Sequence, residues 1–273
     1  MKKFQPLTHW TTDFAAQGVF DDINRLVAFD EWSNWPTCEE LATLFPYDIT
    51  NLNNKAIEFV PQKVSENFSA VAYEEVIYTT GKIPTREQSW HDVFGALTWS
   101  LFPQTKALIN KLHFDDIQKN GKEQRSKLRN ALTLFDECGV VLVTTNKEVL
   151  TKLESHQWTE TFVDNRKLWH CAKADGVGVF QFGHANYEML TKPYIGLTGK
   201  WLALEMSAEL LSLPLNVQYR MVDERLAKYI KSGALNDNQK LFPLPLLGVP
   251  NWYSENEHPD FYLNEDYFQP KRK

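Results

Sequence analysis

Between Ser89 and His113 the chain reads SWHDVFGALTWSLFPQTKALINKLH, a run of Trp, Phe, Leu and Ile into which His91, Asp92, Lys106, Asn110 and His113 are set. Ser89 is a preferred helix N-cap, and Asp92 stands three residues later, where a capping-box acid belongs. Phe102-Pro103 ends or kinks that helix, and because Pro is tolerated in a first turn a second helix is expected from Pro103 to about Leu112. Bulky residues on all sides of the run predict that it is buried centrally, with Trp90, Phe94, Leu97 and Leu101 inside.

The rest of the chain breaks into shorter periodic segments. Pro36 and Thr37 mark a helix start in PTCEELATLFP, with Pro46 as its stop. Asp48 to Asn54 is polar and turn-like, and Ile57 to Val60 is a short strand. Tyr73 to Tyr78 has helical spacing and ends at Gly81, before an extended loop KIPTRE. Asn120 to Lys127 is polar and expected to be exposed. The segment ALTLFDECGVVLVTT reads as a β-hairpin, Leu132–Asp136 against Val140–Thr144, with Gly139 where a positive φ is wanted. Helices are expected over Lys147 to Glu154 and Trp158 to Trp169. VGVFQFGHANYEMLTKP has the order strand, tight turn at Gly183, and short helix from His184 to Leu190. TGKWLALEM is a further strand, and Asn216 to Lys231 is an amphipathic helix ending at Gly233. The last stretch from Leu241 is rich in Pro and aromatics and should wrap the body as ordered coil. Strands mixed with helices, without regular βαβ alternation, predict one α+β domain over residues 1–273, helices packed around a small mixed or antiparallel sheet.

Composition narrows the function classes. Of 273 residues, 43% are hydrophobic and 13% aromatic, with nine Trp, which suffices for a bulky core. The formal net charge of −6 lacks the basic footprint of a nucleic-acid binder. The one basic stretch, Lys106 to Arg129, reads as a solvated linker and helix face. No apolar h-region follows the two N-terminal lysines, and no stretch nears the roughly 18 apolar residues of a membrane span. Cys38, Cys138 and Cys171 lie far apart, which argues against a disulfide frame or a thiolate zinc site and for the reducing cytoplasm.

The candidate chemistry lies in the ionisable groups of the apolar segments, because such groups cost stability unless paired or used. His91-Asp92 has the form of the ligand dyad of HD-type phosphohydrolases, but that arrangement also needs a nearby upstream His, and only His9 precedes it. The bland alternative is a capping acid beside a hydrogen-bonded His. Lys106, Asn110 and His113 fall at i, i+4 and i+7, one face of a helix; they form either a solvated stripe or the polar wall of a site. His184 and Glu188, at i and i+4, could chelate a divalent metal such as Zn, Mn or Fe, or simply bond each other. Arg86, Arg125 and Arg129 could hold a carboxylate or phosphate, or sit in structural ion pairs. Asp136 is read as a turn residue. There is no GxSxG, P-loop, GxGxxG or HExxH motif, which disfavours four common enzyme classes.

The segments IEFVPQ, YEEVIYTTGKIPTR, SWHDVFGALTWSLFPQTKALINKLH, RNALTLFDECG, FGHANYEML and PLPLLGVPNWYSENEHPDFYLNEDYFQP, in this order, resemble the bacterial proteins grouped as domain of unknown function 3025. The resemblance runs from about residue 20 to 270. It implies a cytoplasmic bacterial protein of one domain and assigns no activity. Where this family tends to have Gly-Trp after GVP, the chain has Asn251-Trp252; where it has Asn-Gly, the chain has Cys138-Gly139; and Gln269 stands where Arg is common.

Two functional readings follow. One is a small-molecule hydrolase using His91, Asp92 and His113 as catalytic groups, Arg86, Lys106, Asn110 and Arg129 for substrate, and His184 with Glu188 for a possible divalent metal. The other is a non-catalytic protein that binds a ligand or a partner in an aromatic, His-lined cleft. Convergence of the histidines on one cavity favours the first.

Overall fold

The computed structural model describes residues 4–45, 48–62 and 70–271, and shows one α+β domain. Its elements are α1 (Asp21–Val27), α2 (Cys38–Ala42), β1 (Glu58–Pro61), α3 (Ala70–Thr80), β2 (Lys82–Thr85), α4 (Trp90–Leu101), α5 (Pro103–Asn120), α6 (Lys127–Cys138), β3 (Gly139–Val143), α7 (Lys147–Glu154), β4 (Gly178–Gln181), α8 (His184–Leu190), β5 (Thr198–Leu204), α9 (Leu215–Lys231) and β6 (Phe242–Pro245). A four-stranded mixed sheet has the order β4-β3-β5-β6, and β1 pairs in parallel with β2 in a separate ribbon. In the larger sheet β3 runs antiparallel to β4 and parallel to β5, while β5 and β6 are antiparallel. Every residue of β3 is buried, as expected for the Val/Leu run of an inner strand.

The central helix forms as its sequence predicts. The Ser89 Oγ accepts the Asp92 N–H, and Trp90, Phe94, Leu97 and Leu101 are all buried. Trp90 stacks on Trp10 and meets Phe14 edge-on, and Phe94 stacks on Tyr187, so α4 organises the aromatic core. Pro103 begins α5 without a cap of its own; Asp223 on α9 supplies one from across the core, accepting the N–H groups of Gln104 and Thr105 at 2.9 and 2.8 Å. α5 runs past Leu112 to Asn120 because nothing breaks it before Gly121, whose φ is +80°. Thr37 and Glu40 make a full capping box on α2, while its expected stop, Pro46, lies outside the described residues. The loop expected at KIPTRE holds strand β2, whose backbone is paired by β1.

Three expectations are overturned. The first is the hairpin: Leu132 to Asp136 belong to α6, and the antiparallel partner of β3 is β4. Leu128, Ala131, Leu132 and Phe135 fall at i, i+3, i+4 and i+7, and that helical stripe faces the core. Gly139 has φ −67°, so a left-handed conformation is not why Gly is there; a Cβ would lie 2.4 Å from the Phe135 carbonyl oxygen. The second is overturned only in part: Trp158 to Trp169 starts helically at Trp158 and Thr159, but continues as a π turn over Glu160–Asp164 and a 3-10 turn over Arg166–Leu168 in place of a regular α-helix. The third is the stripe Lys106, Asn110, His113, which is not solvated. The three residues are 8%, 2% and 5% exposed.

The C-terminal stretch is ordered and covers the core with Trp252, Tyr262, Tyr267 and Phe268. Asn251 has φ 68°, a conformation Gly adopts freely and Asn tolerates. That explains how Asn serves where the resemblance expects Gly.

Candidate functional site

A cavity of about 490 Å³ opens between α3, β2, α4, α5, α6 and the start of α8. It collects His91, His113 and His184 in one wall system, with Arg86, Asp92, Lys106, Asn110 and Arg129 also on its surface. Trp99, Ile77 and Ile83 provide its apolar lining.

At one end the two imidazoles meet. His184 Nε2 lies 3.0 Å from His91 Nε2 and 3.5 Å from Glu137 Oε2. Ligand atoms of His91, Glu137 and His184 all fall within 4.8 Å of one another, a spacing that could hold a metal ion. Behind each ring stands a carboxylate. The His91 Nδ1 faces Glu188 Oε2 at 3.3 Å, and the His184 Nδ1 lies 3.8 Å from Asp136 Oδ2. The Glu188 contact on the outer nitrogen turns the His91 inner nitrogen toward the shared point, as carboxylates orient imidazole ligands around metals; the His184 Nδ1 has no hydrogen-bond partner among the described residues.

The backbone makes this convergence possible at one tight crossing. Gly183, just before α8, packs on the end of α6: a Cβ there would meet the Glu137 carbonyl oxygen at 2.5 Å and the Gly139 nitrogen at 2.6 Å. Only glycine allows the β4–α8 turn to sit on the α6–β3 junction, and this sets His184 beside Asp136 and Glu137.

The electrostatics of the pair are asymmetric. Two neutral nitrogen lone pairs cannot face each other at 3.0 Å, so one proton is held between the rings. Burial acts to lower the His91 pKa, but the Glu188 hydrogen bond and the charges of Glu137, Glu188 and Asp92 outweigh it and hold it above the ordinary histidine value. Burial pushes His184 down to about 3, with Lys106 and His91 adding to the effect against the opposing pull of Asp136. His91 is therefore the proton holder and His184 the neutral acceptor. Burial raises Glu137, with Asp136 contributing. Burial also acts to raise Asp136, but Lys106 and His184 outweigh it and its pKa is lowered. Lys106 Nζ sits 2.6 Å from Asp136 Oδ1 and 5.6 Å above the Trp99 ring.

Several residues do not stand where their sequence context placed them. Glu188 does not chelate with His184; it backs His91 instead. Asp92 neither pairs with His91 as a ligand dyad nor closes a capping box. Its carboxylate is clamped by Arg86, through the backbone N–H at 2.6 Å and the guanidinium at 3.0 and 2.7 Å. That clamp occupies Arg86 as well. Asn110 Nδ2 donates to the Glu74 carbonyl and carboxylate. Arg129, 3% exposed, has its Nε 3.7 Å from Asp116. Glu137 was missed because it fell in a supposed turn. The signal that would have found it is the helical spacing of Leu128, Ala131, Leu132 and Phe135, which carries Asp136 and Glu137 onto the end of a helix.

Residues 57–272 match the family described as protein of unknown function DUF3025, and the chain belongs to that family. No curated protein and no solved structure matches it. Among the described residues, no helix is long and apolar enough to cross a membrane.

Proposed function

We propose that this chain is a metal-dependent hydrolase of small molecules, with the ion held by His91 Nε2, His184 Nε2 and Glu137. The observation that carries the reading is the convergence of two imidazoles and a carboxylate within 4.8 Å at the end of a cavity, each imidazole backed by a second carboxylate. Two His and one carboxylate leave coordination positions open for water and substrate. A divalent ion in such a site lowers the pKa of its water to about 7. An ion held by these three residues would supply Lewis-acid activation of water toward an electrophilic carbon or phosphorus. Lys106, fixed by Asp136 beside His184, lines the same cavity and adds positive charge to it. Asp92 and His113 take no part in the bond-breaking step on this reading: Asp92 holds the Arg86 loop, and His113 lies two turns along α5 from Lys106. The net charge of −6 supports a small-molecule substrate over nucleic acid, and three unpaired cysteines support the cytoplasm.

The test is a calorimetric titration of chelator-treated protein with Zn²⁺ and Mn²⁺, followed by ester, amide and phosphoester substrates. One equivalent should bind, and His184→Ala should weaken binding by about a thousandfold, about 4 kcal/mol, while the melting temperature holds. Stoichiometry and affinity unchanged in His184→Ala would sink the proposal. Absence of metal binding in the parent protein would favour the cavity as a non-catalytic ligand site. Binding of Fe²⁺ alone would point the same three residues toward oxygen chemistry.

A further inference from the structure

Hydrolysis at the metal end leaves the far end of the cavity unexplained. α5 and α6 are joined by the short loop after Asn120 and run antiparallel, as two cross-pairs record: Lys106 with Asp136, and Asp116 with Arg129. Lys106 and His113 are seven residues apart on α5, and Asp136 and Arg129 seven apart on α6. Two turns of helix span roughly 10 Å. One end of the paired helices thus carries Lys106 and Asp136 beside the histidines, and the other carries His113 and Arg129 about 10 Å away. All four residues line the same cavity.

The far end is rich in unused donors. Arg129 gives Nη1 to the Gly121 and Gln124 carbonyls, and its Nε is 3.7 Å from Asp116, beyond hydrogen-bond range. Among the described residues, Arg129 Nη2 and both ring nitrogens of His113 have no hydrogen-bond partner. The side chain of Arg129 is only 4% exposed. A buried guanidinium with an unfilled face costs stability unless something occupies that face. Glu74 is engaged by Asn110 and Asp136 by Lys106, while Asp116 Oδ2 stands 3.7 Å from Arg129 Nε without a hydrogen bond and leaves the Nη2 edge of the guanidinium free. Trp99, Ile77 and Ile83 line the space with apolar surface.

We infer that the cavity takes a small amphipathic molecule roughly 10 Å long, with an oxyanionic end group (carboxylate or phosphate) held by Arg129 and His113, an apolar body against Trp99, and its scissile bond at His91, Glu137 and His184. The guanidinium offers the anion a charge-assisted contact. Only the position of the scissile bond rests on the metal-hydrolase reading; the anion site stands without it.

The experiment uses three probes of one shape on the full, metal-free chain: 4-phenylbutyrate, 3-phenylpropyl phosphate and the neutral 4-phenylbutanamide, titrated by calorimetry and ligand-observed NMR. At least one anion should bind tenfold or more tighter than the amide, and the better of the two names the source of the oxyanion. Arg129→Gln should remove that preference and leave Zn²⁺ affinity within twofold. Arg129 is buried and its replacement could unfold the chain, so Gly95→Leu serves as a second variant. Gly95 is on α4, lines the cavity, and has nothing within 4 Å of an added Cβ; Leu there should fill the space and cut anion binding at least tenfold in a folded protein. Equal affinity for acids and amide, no binding of either anion, or anion binding untouched by Gly95→Leu overturns the inference. Zn²⁺ binding that fails while the anion preference holds removes the hydrolase and keeps the anion site; the converse removes only the anion site.

Discussion

Asn256 in the C-terminal stretch and Asn110 in the cavity wall are both almost wholly buried, at 1% and 2% exposed. Asn256 donates to the carbonyls of Leu247 and Val249 at 2.8 and 2.7 Å and accepts from Arg166. Asn110 donates twice to Glu74, but its Oδ1 has no partner among the described residues. The contrast extends to their surroundings. Around Asn256, the Tyr267 hydroxyl donates to the Leu197 carbonyl and accepts the Leu247 N–H, and the Tyr262 hydroxyl donates to the Gly248 carbonyl. Close by on α5, the buried Asp116 Oδ2 also lacks a hydrogen-bond partner among the described residues. Burial is the same in the two regions; what differs is saturation. Polar groups that hold a chain in place are filled by backbone, whereas groups left open beside a cavity have capacity for something that enters it.

Variants can break this comparison. The largest effect should come from Asn256→Ala, which leaves two buried carbonyls without a donor. A cost of about 2–3 kcal/mol is expected, read as a fall in denaturation midpoint; a loss under about 1 kcal/mol would show that the saturated network is not structural. Glu188→Gln removes the anionic acceptor behind His91, and should lower Zn²⁺ affinity about tenfold, about 1.4 kcal/mol, with little change in melting temperature. Unaltered affinity with lowered stability would assign Glu188 to the fold. The smallest effect should be Asn110→Ala, under about 1 kcal/mol, because the freed Glu74 groups border the cavity and can take up water. If chemical denaturation finds Asn110→Ala as costly as Asn256→Ala, open and saturated polar groups are energetically alike here and the distinction fails.

Much of the frame was legible along the chain. The α4–α5 break at Pro103, helix α9, strand β5 and the α8 start after Gly183 follow from local rules: caps, proline geometry and periods of 3.6 or 2. His91, His113 and His184 could be singled out because ionisable groups stood in apolar runs. The hairpin was misread because Leu132 to Phe135 is too short a run to distinguish period 2 from 3.6, and the four-residue offset from Leu128 is what decides it. With that helix goes Glu137, the third member of the cluster.

What the sequence determined by itself is therefore which segments are helices and strands, where most of them stop, and which polar side chains must be explained. It could not determine partners, because most are meetings of residues remote in the chain, and even Arg86 and Asp92, six residues apart, meet only across the β2–α4 junction. Glu188 pairs with His91 and not with its own neighbour His184; Arg86 is occupied by Asp92; and the stripe Lys106, Asn110, His113 is buried because α6 and α3 cover it. The meeting of Glu188 and His184 with His91 and Glu137 was decided by the packing of the β4–α8 turn, at Gly183, on the α6–β3 junction. Close approach of two backbones is a property of tertiary contact, and local propensity carries no term for it.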